Sequence, residues 1–248
     1  MSTVHVLRDL DGIARAIAER WSQLSREAIA AHNRFHVALA GGSTPRRLYE
    51  TLAALDATTA PDWANTCIYF GDERAVPPDH PDSNYRMARE ALLDHVPIPS
   101  GQVHRMEAEG PDREHGARAY AELLNRELPL DKEAMPAFDL ILLGLGEDGH
   151  TASLFPDTDI LGEHEHLVAP VYVDRLNTWR MSLTLPVINR ARHVMVLVAG
   201  QSKAGIAHRV LEAPPPTPPL PAQRLAPVGS LEWFLDREAA AQLESRPA

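Results

Sequence analysis

The sequence has very little cysteine. Cys67 is the only one, so no disulfide can form within the chain, and this is typical of proteins in a reducing cytosol. Long apolar runs are also missing, and the first residues, MSTVHVLRDLDG, carry charges where a secretory signal would be apolar. We therefore expect a cytoplasmic protein with no membrane partner.

Positive charge is scarce as well. The 24 Lys and Arg residues are outnumbered by 34 Asp and Glu residues, which gives a formal net charge of −10 at pH 7. Nucleic-acid binding depends on clustered Lys and Arg that neutralise phosphates, so we expect no nucleic-acid partner. An anionic ligand would have to be held by a local site.

Metal-binding patterns are scarce too, and only one stretch could suggest a metal site. Residues 163–166 read EHEH, but alternate residues of an extended segment point to opposite sides, and no third ligand follows at a recognisable spacing. We interpret these residues as a solvated loop and expect no metal.

The composition is that of a globular protein, with 44% hydrophobic and 23% charged residues. A chain of 248 residues suits one α/β domain, and we expect residues 1–248 to form a single domain. Residues 213–227, APPPTPPLPAQRLAP, have the composition of a linker. Too little chain follows them for another domain, so we expect only a last strand, Leu231 to Leu235, and an alanine-rich helix.

Four apolar runs without period-two alternation predict strands that are covered on both faces. Three stretches outside these runs have apolar residues at helical spacing. One follows a cap at Asp9 or Asp11, the second runs from about residue 84 to 93, and the third from about 113 to 127. Strands that alternate with helices predict an α/β fold with a mostly parallel sheet flanked by helices. The four runs are Phe35 to Ala40, Thr66 to Phe70, Leu140 to Leu143 and His193 to Ala199.

Each of these strands is followed by a glycine loop. The loops read GGSTP, GDER, GLGEDGH and GQSK, and right-handed crossovers would bring them to one edge of the sheet, where open α/β proteins bind ligands. In GGSTP, Thr44 or Ser43 suits the cap of a helix and Pro45 its first position, which leaves free N–H groups for a phosphate. Residues 151–154 are predicted to form a short turn from which a helix could begin, stopped or kinked near Pro156.

Taken singly, each loop has an ordinary structural interpretation: a helix cap, a charged turn, or a surface histidine. Their convergence favours a single site for a small phosphorylated substrate and acid–base chemistry. Arg180, on a later alternating run, is either a further ligand or an edge-strand cation. A dinucleotide is not expected, because no GxGxxG opens a helix after a strand. The other candidates are Gly42, Ser43, Thr44, Asp72, Arg74, Asp148, His150 and Lys203.

Five segments resemble the bacterial 6-phosphogluconolactonases in order and spacing: LAGGSTPRRLYE, FGDERAVPPDHPDSNYR, LILLGLGEDGHTASLFP, RMSLTLPVIN and WFLDREAA. The resemblance covers residues 35–240. It implies the Rossmann-like fold shared with glucosamine-6-phosphate deaminase and ribose-5-phosphate isomerase, a sugar-phosphate lactone as substrate, a role in the oxidative pentose phosphate pathway, and no obligatory cofactor. We expect a monomer or a weak homo-oligomer.

The same resemblance assigns residues to roles. It makes His150 the active-site histidine and Asp148 its accompanying acid. An imidazole can take a proton from water at neutral pH and return it to the leaving ring oxygen. The resemblance also makes Gly42, Ser43 and Thr44 the phosphate loop and places Arg74, Arg180 and Lys203 near the substrate.

Two alternatives remain open. Amino-sugar phosphate deaminases have a similar phosphate loop and would use Asp72 as the base, but their active-site loop resembles NGHIAFNEP, with a glutamate five residues after the histidine. Phe155 occupies that place here. A sugar-phosphate sensor related to repressor domains is less expected, because such proteins carry a DNA-binding segment, whereas this acidic chain begins with a strand and an amphipathic helix.

Overall fold

Two sheets organise the protein, and a computed structural model describes residues 2–244. The larger sheet has six strands in the order β1-β9-β8-β5-β2-β3, all parallel. The smaller one is antiparallel, with the order β4-β7-β6. The strands are β1 (Ser2–Leu7), β2 (Phe35–Leu39), β3 (Thr66–Phe70), β4 (Asp72–Arg74), β5 (Leu140–Gly144), β6 (Val168–Val173), β7 (Thr178–Leu183), β8 (His193–Val198) and β9 (Ser230–Asp236).

The four predicted strands are neighbours in the large sheet, in the order β8-β5-β2-β3. β2 and β3 are buried along their whole length, and β5 and β8 have only one partly exposed residue each, at an end. This agrees with apolar runs that lack alternation. Because β2, β3, β5 and β8 are parallel, the loops that follow them leave the sheet at the same edge. The fold class expected from the sequence is confirmed.

Helices flank the sheet. The predicted α4 (Arg113–Glu127) has the expected bounds, and the Asp9 carboxylate caps α1 (Leu10–His32) by accepting the Gly12 N–H at 2.8 Å. The remaining helices are α2 (Ser43–Ala53), α3 (Asn84–Ala91), α5 (Leu185–Arg190) and α6 (Ala204–Leu211). Among the described residues, no helix has the length and apolar character needed to span a bilayer.

The predicted start of α2 was wrong. Its N-cap is Gly42, at φ 105°, so Ser43 and Thr44 are already helical and Pro45 is the third residue. The chain has to turn sharply out of the buried strand β2, and only glycine adopts this φ without strain. The shift leaves the free N–H groups of Ser43 and Thr44 at the first turn of α2.

Two other local predictions were wrong. Residues 151–154 form the predicted turn, held in part by the Thr151 hydroxyl, which donates to the Gly144 carbonyl at 2.9 Å, and no α-helix begins there. Residues 237–242 form turns instead of an alanine-rich helix. The proline-rich segment is no free linker, because Leu220 is buried and the Ala222 N–H donates to the Gly149 carbonyl at 3.0 Å.

Candidate active site

A cavity of about 250 Å³ opens at the edge of the sheet where β2, β3, β5 and β8 end. All four glycine loops contribute to its lining, so the convergence predicted from the sequence is present in the structure. Asp148 does not line the cavity but contacts a residue that does. The predicted site residues in the lining are Gly42, Ser43, Thr44, Asp72, Arg74, His150, Arg180 and Lys203.

The imidazole of His150 is held by Asp148. Its Nδ1 lies 2.5 Å from Oδ1 of that carboxylate, which also accepts the His150 backbone N–H at 3.2 Å. Burial acts to raise the pKa of Asp148, but the hydrogen bonds from His150 and the charges of His150 and Arg175 outweigh it and lower the pKa to about 2. An ionised carboxylate only accepts hydrogen bonds, so Nδ1 carries a proton, and in the neutral ring the lone pair is then on Nε2.

Two glycines of the loop after β5 make this placement possible. A Cβ on Gly146 would lie 1.9 Å from His150 Nδ1, so the imidazole occupies the space that a side chain would need. Gly149 has φ +83°, a conformation that favours glycine. The imidazole also stacks on Phe155, with ring centroids 4.0 Å apart and planes at 26°. The ring is therefore held by the Asp148 carboxylate at Nδ1 and by Phe155 against one face.

The start of α2 contributes to the wall of the same cavity. Gly42, Ser43 and Thr44 all line it, and Pro45 has no N–H to offer. Unpaired N–H groups and the positive end of the helix dipole together favour an anion at this place.

Basic side chains line the same cavity. The Arg180 side chain is only 14% exposed, and its Nε is buried without a hydrogen-bond partner; the Nε of Arg74 is likewise unpartnered. Burial lowers the pKa of Arg180, and the carboxylate of Asp72 opposes that effect. Lys203 extends from the 3₁₀ turn after β8 and has no ion-pair partner within residues 2–244. Unsatisfied cationic donors around a cavity indicate an anionic ligand.

The three charges of β4 alternate between two sides. Asp72 and Arg74 face the cavity, whereas Glu73 turns away and accepts the N–H groups of Asn84 and Tyr85 at the start of α3, each at 2.8 Å. Burial raises the pKa of Glu73. This is the period-two alternation of a strand, and it makes Glu73 a helix-capping residue.

Asp72 is fixed by hydrogen bonds. Its side chain accepts from the Ser153 hydroxyl at 2.6 Å and from the Asn84 amide at 3.1 Å. The cation beside it is Arg180, at 3.9 Å; Arg74 instead donates to the Asp82 carbonyl. The residues that anchor Asp72 were not predicted from the sequence, because Ser153 is 81 positions away in the chain.

Two further residues at the site were also missed. Arg175, between β6 and β7, forms an ion pair with Asp148 at 2.6 Å, and Phe155 supports the His150 ring. Phe155 had a sequence signal, because it replaces the glutamate of the deaminase loop. Arg175 had none. Within the described residues, which include the EHEH stretch, no group of three or more His, Cys, Asp or Glu is arranged to hold a metal ion.

Comparisons with known proteins show the family of the chain. Residues 8–233 match the family described as glucosamine-6-phosphate isomerases/6-phosphogluconolactonase. The 6-phosphogluconolactonase of Synechocystis sp. is 43% identical over 217 residues, 88% of each chain. The Homo sapiens 6-phosphogluconolactonase is 40% identical over 248 residues, which cover 98% of this chain and 94% of the human protein.

Solved structures give the same result. The 6-phosphogluconolactonase of Trypanosoma brucei superposes with a TM-score of 0.88 at 32% identity, covering 98% of this chain and 99% of that one. A monomeric glucosamine-6-phosphate deaminase superposes with a TM-score of 0.80 at 20% identity over 97% of this chain and 99% of that one, which shows a shared fold.

Proposed function

Because the chain belongs to the glucosamine-6-phosphate isomerase/6-phosphogluconolactonase family, we propose that it hydrolyses 6-phospho-D-glucono-1,5-lactone to 6-phosphogluconate in the oxidative pentose phosphate pathway. One observation carries the proposal beyond family membership. A histidine with a free Nε2 shares a cavity of about 250 Å³ with a helix N-terminus and three basic side chains. This places a base and an anion site in the same cavity.

His150 is the general base of the proposed reaction. Nε2 takes a proton from a water molecule, and the resulting hydroxide attacks the lactone carbonyl carbon. The imidazolium that forms is stabilised by the Asp148 carboxylate, which stays ionised because of its low pKa. The tetrahedral intermediate then collapses, the ring C–O bond breaks, and the imidazolium returns its proton to the departing ring oxygen.

The other lining residues hold the substrate. The negative phosphate binds at the N–H groups of Ser43 and Thr44, with Lys203 and Arg74 supplying compensating charge. Arg180, which lies beside the Phe155 ring at 5.6 Å, is the side chain available to stabilise the carbonyl oxygen as it becomes an oxyanion.

The deaminase alternative is disfavoured at Phe155. The side chain that replaces the deaminase glutamate is 2% exposed and stacked against His150. A hydrocarbon ring cannot transfer protons, and its burial leaves no place for another carboxylate there.

The test compares two histidine variants. Proton release from freshly generated lactone is followed at constant pH, with the spontaneous rate subtracted. His150→Ala should lower kcat by at least about a hundredfold, the lower range for a general base. His164→Ala, which removes an exposed loop histidine, is the matched control and should keep wild-type turnover. Near-normal turnover of His150→Ala would exclude His150 as the general base. A wild-type protein without lactonase activity would refute the proposed function.

A further inference from the structure

Three side chains lie behind His150, outside the cavity: Asp148, Phe155 and Arg175. None of them belongs to the cavity lining, whereas His150 and Arg180 do. Phe155 is fully buried, and Arg175 is about half exposed, with 52% of its side chain accessible. A cation in this place has no direct path to a substrate in the cavity, so its role has to be sought in its contacts.

Arg175 is held at the tip of the β6–β7 hairpin. It is the middle residue of the 3₁₀ turn Asp174–Leu176, and the chain reverses at Asn177 with φ 46°. The Tyr172 hydroxyl donates to the Asn177 side chain and closes the tip. The guanidinium is thus delivered to the histidine loop by the smaller sheet, 27 residues along the chain from Asp148.

Its contacts are with both groups that confine the His150 ring. Nη2 lies 2.6 Å from Asp148 Oδ2, which leaves Oδ1 for His150 at 2.5 Å. The same guanidinium lies over the Phe155 ring, 4.9 Å from its centroid. The imidazole stacks on that ring as well. The Arg175 guanidinium therefore contacts the Asp148 carboxylate and the Phe155 ring, and both of these contact the His150 imidazole.

We propose that Arg175 is a positioning residue for His150. By binding one carboxylate oxygen, it prevents the Asp148 carboxylate from rotating and keeps the other oxygen on Nδ1. That fixes the Nδ1–H tautomer and leaves Nε2 as the base. The proposal rests on the proposed function of His150 as general base. It assigns Arg175 an effect on turnover, in contrast to Arg74 and Lys203, which face the cavity and act on binding.

Two substitutions separate the charge from the packing. Arg175→Met keeps an unbranched apolar stem against Phe155 but removes the ion pair with Asp148, so kcat should fall about tenfold as the carboxylate loses its counter-charge, with KM within about twofold. Arg175→Lys restores a cation and should recover most of the loss. Arg113→Met is the matched control, because its guanidinium lies over Trp179 of the same hairpin, 5.1 Å from the ring centroid, and should leave both constants unchanged.

A double-mutant cycle shows through which residue Arg175 acts. In an Asp148→Asn background there is no carboxylate to orient, so Arg175→Met should cause no further loss of kcat. Independent, multiplicative losses would overturn the proposal. So would a large rise in KM with unchanged kcat, because that result would make Arg175 a substrate ligand.

The tautomer of His150 can be determined without an activity assay. Nitrogen NMR of the imidazole above its titration range should report the Nδ1–H form in the wild type and a mixture of both tautomers in Arg175→Met. The same tautomer in Arg175→Met and the wild type would refute the positioning role, even if the enzyme hydrolyses the lactone. A tautomer shift in a protein without lactonase activity would instead support the role of Arg175 and refute only the proposed function.

Discussion

Replacing Gly146 with alanine is the most direct test of how the loop places the catalytic group. A Cβ at this position would lie 1.9 Å from His150 Nδ1, 2.1 Å from Cε1 and 2.7 Å from Asp148 Oδ1. Gly146 does not have a left-handed φ, so alanine meets no backbone strain. The three nearest atoms all belong to the ends of the His150 and Asp148 side chains.

The size of the effect follows from these distances. Ordinary contacts of a Cβ begin near 3.4 Å, so the imidazole has to move by about 1.5 Å. A misplacement of about 1 Å can cost a hundredfold in rate, and complete loss of a general base costs about 10²- to 10⁴-fold. We therefore expect kcat to fall at least about a hundredfold. The free energy of unfolding should fall by no more than about 1 kcal/mol, because movable side-chain ends relieve the overlap at less cost than a rigid core would.

The assay measures lactone hydrolysis and urea unfolding on the same samples. Gly144→Ala is the matched control: Gly144 is the last residue of β5, two positions before Gly146, and lines the same cavity, but a Cβ there has no atom within 4 Å. It should retain far more activity than Gly146→Ala. Equal losses in the two variants would mean that cavity room, and not the position of the imidazole, limits turnover. Full activity of Gly146→Ala would refute the reasoning altogether.

Two further predictions concern binding and pH. Lys203→Met should raise KM about tenfold and reduce the preference for the phosphorylated lactone over plain gluconolactone, whereas an unchanged preference would place the phosphate elsewhere. Burial, with the charges of His32 and Arg34, lowers the pKa of His36 to about 4. Below about pH 6.5, His36 is therefore protonated in the unfolded chain but stays neutral in the folded protein until the pH approaches 4. Up to roughly 3 kcal/mol of stability present above about pH 6.5 should be lost as the pH falls to 4. Urea unfolding at pH 7.5 and 4.5 would measure this loss, and a His36→Gln variant with the same pH dependence would argue against it.

The chain segments that build the large sheet are readable from the sequence because their signals are local. A strand buried on both faces requires an unbroken apolar run, and a parallel sheet requires that the chain leave each strand at the same edge. Glycine, hydroxyl and charged residues directly after such runs therefore had to gather at one place. That reasoning located His150, Asp72 and Lys203 without knowledge of the distances between them.

What the sequence by itself determined was the set of parallel strands, the edge at which their loops meet and the residues those loops carry, since each depends on neighbours within a few positions. Only the tertiary structure decided that Glu73 caps a helix, that Ser153 anchors Asp72 and that Arg175 holds Asp148. These contacts join residues up to 81 positions apart. They depend on how the two sheets pack together, which no local sequence pattern predicts. The physical reason is that a side chain's partner is fixed by packing, and packing is a property of the whole fold.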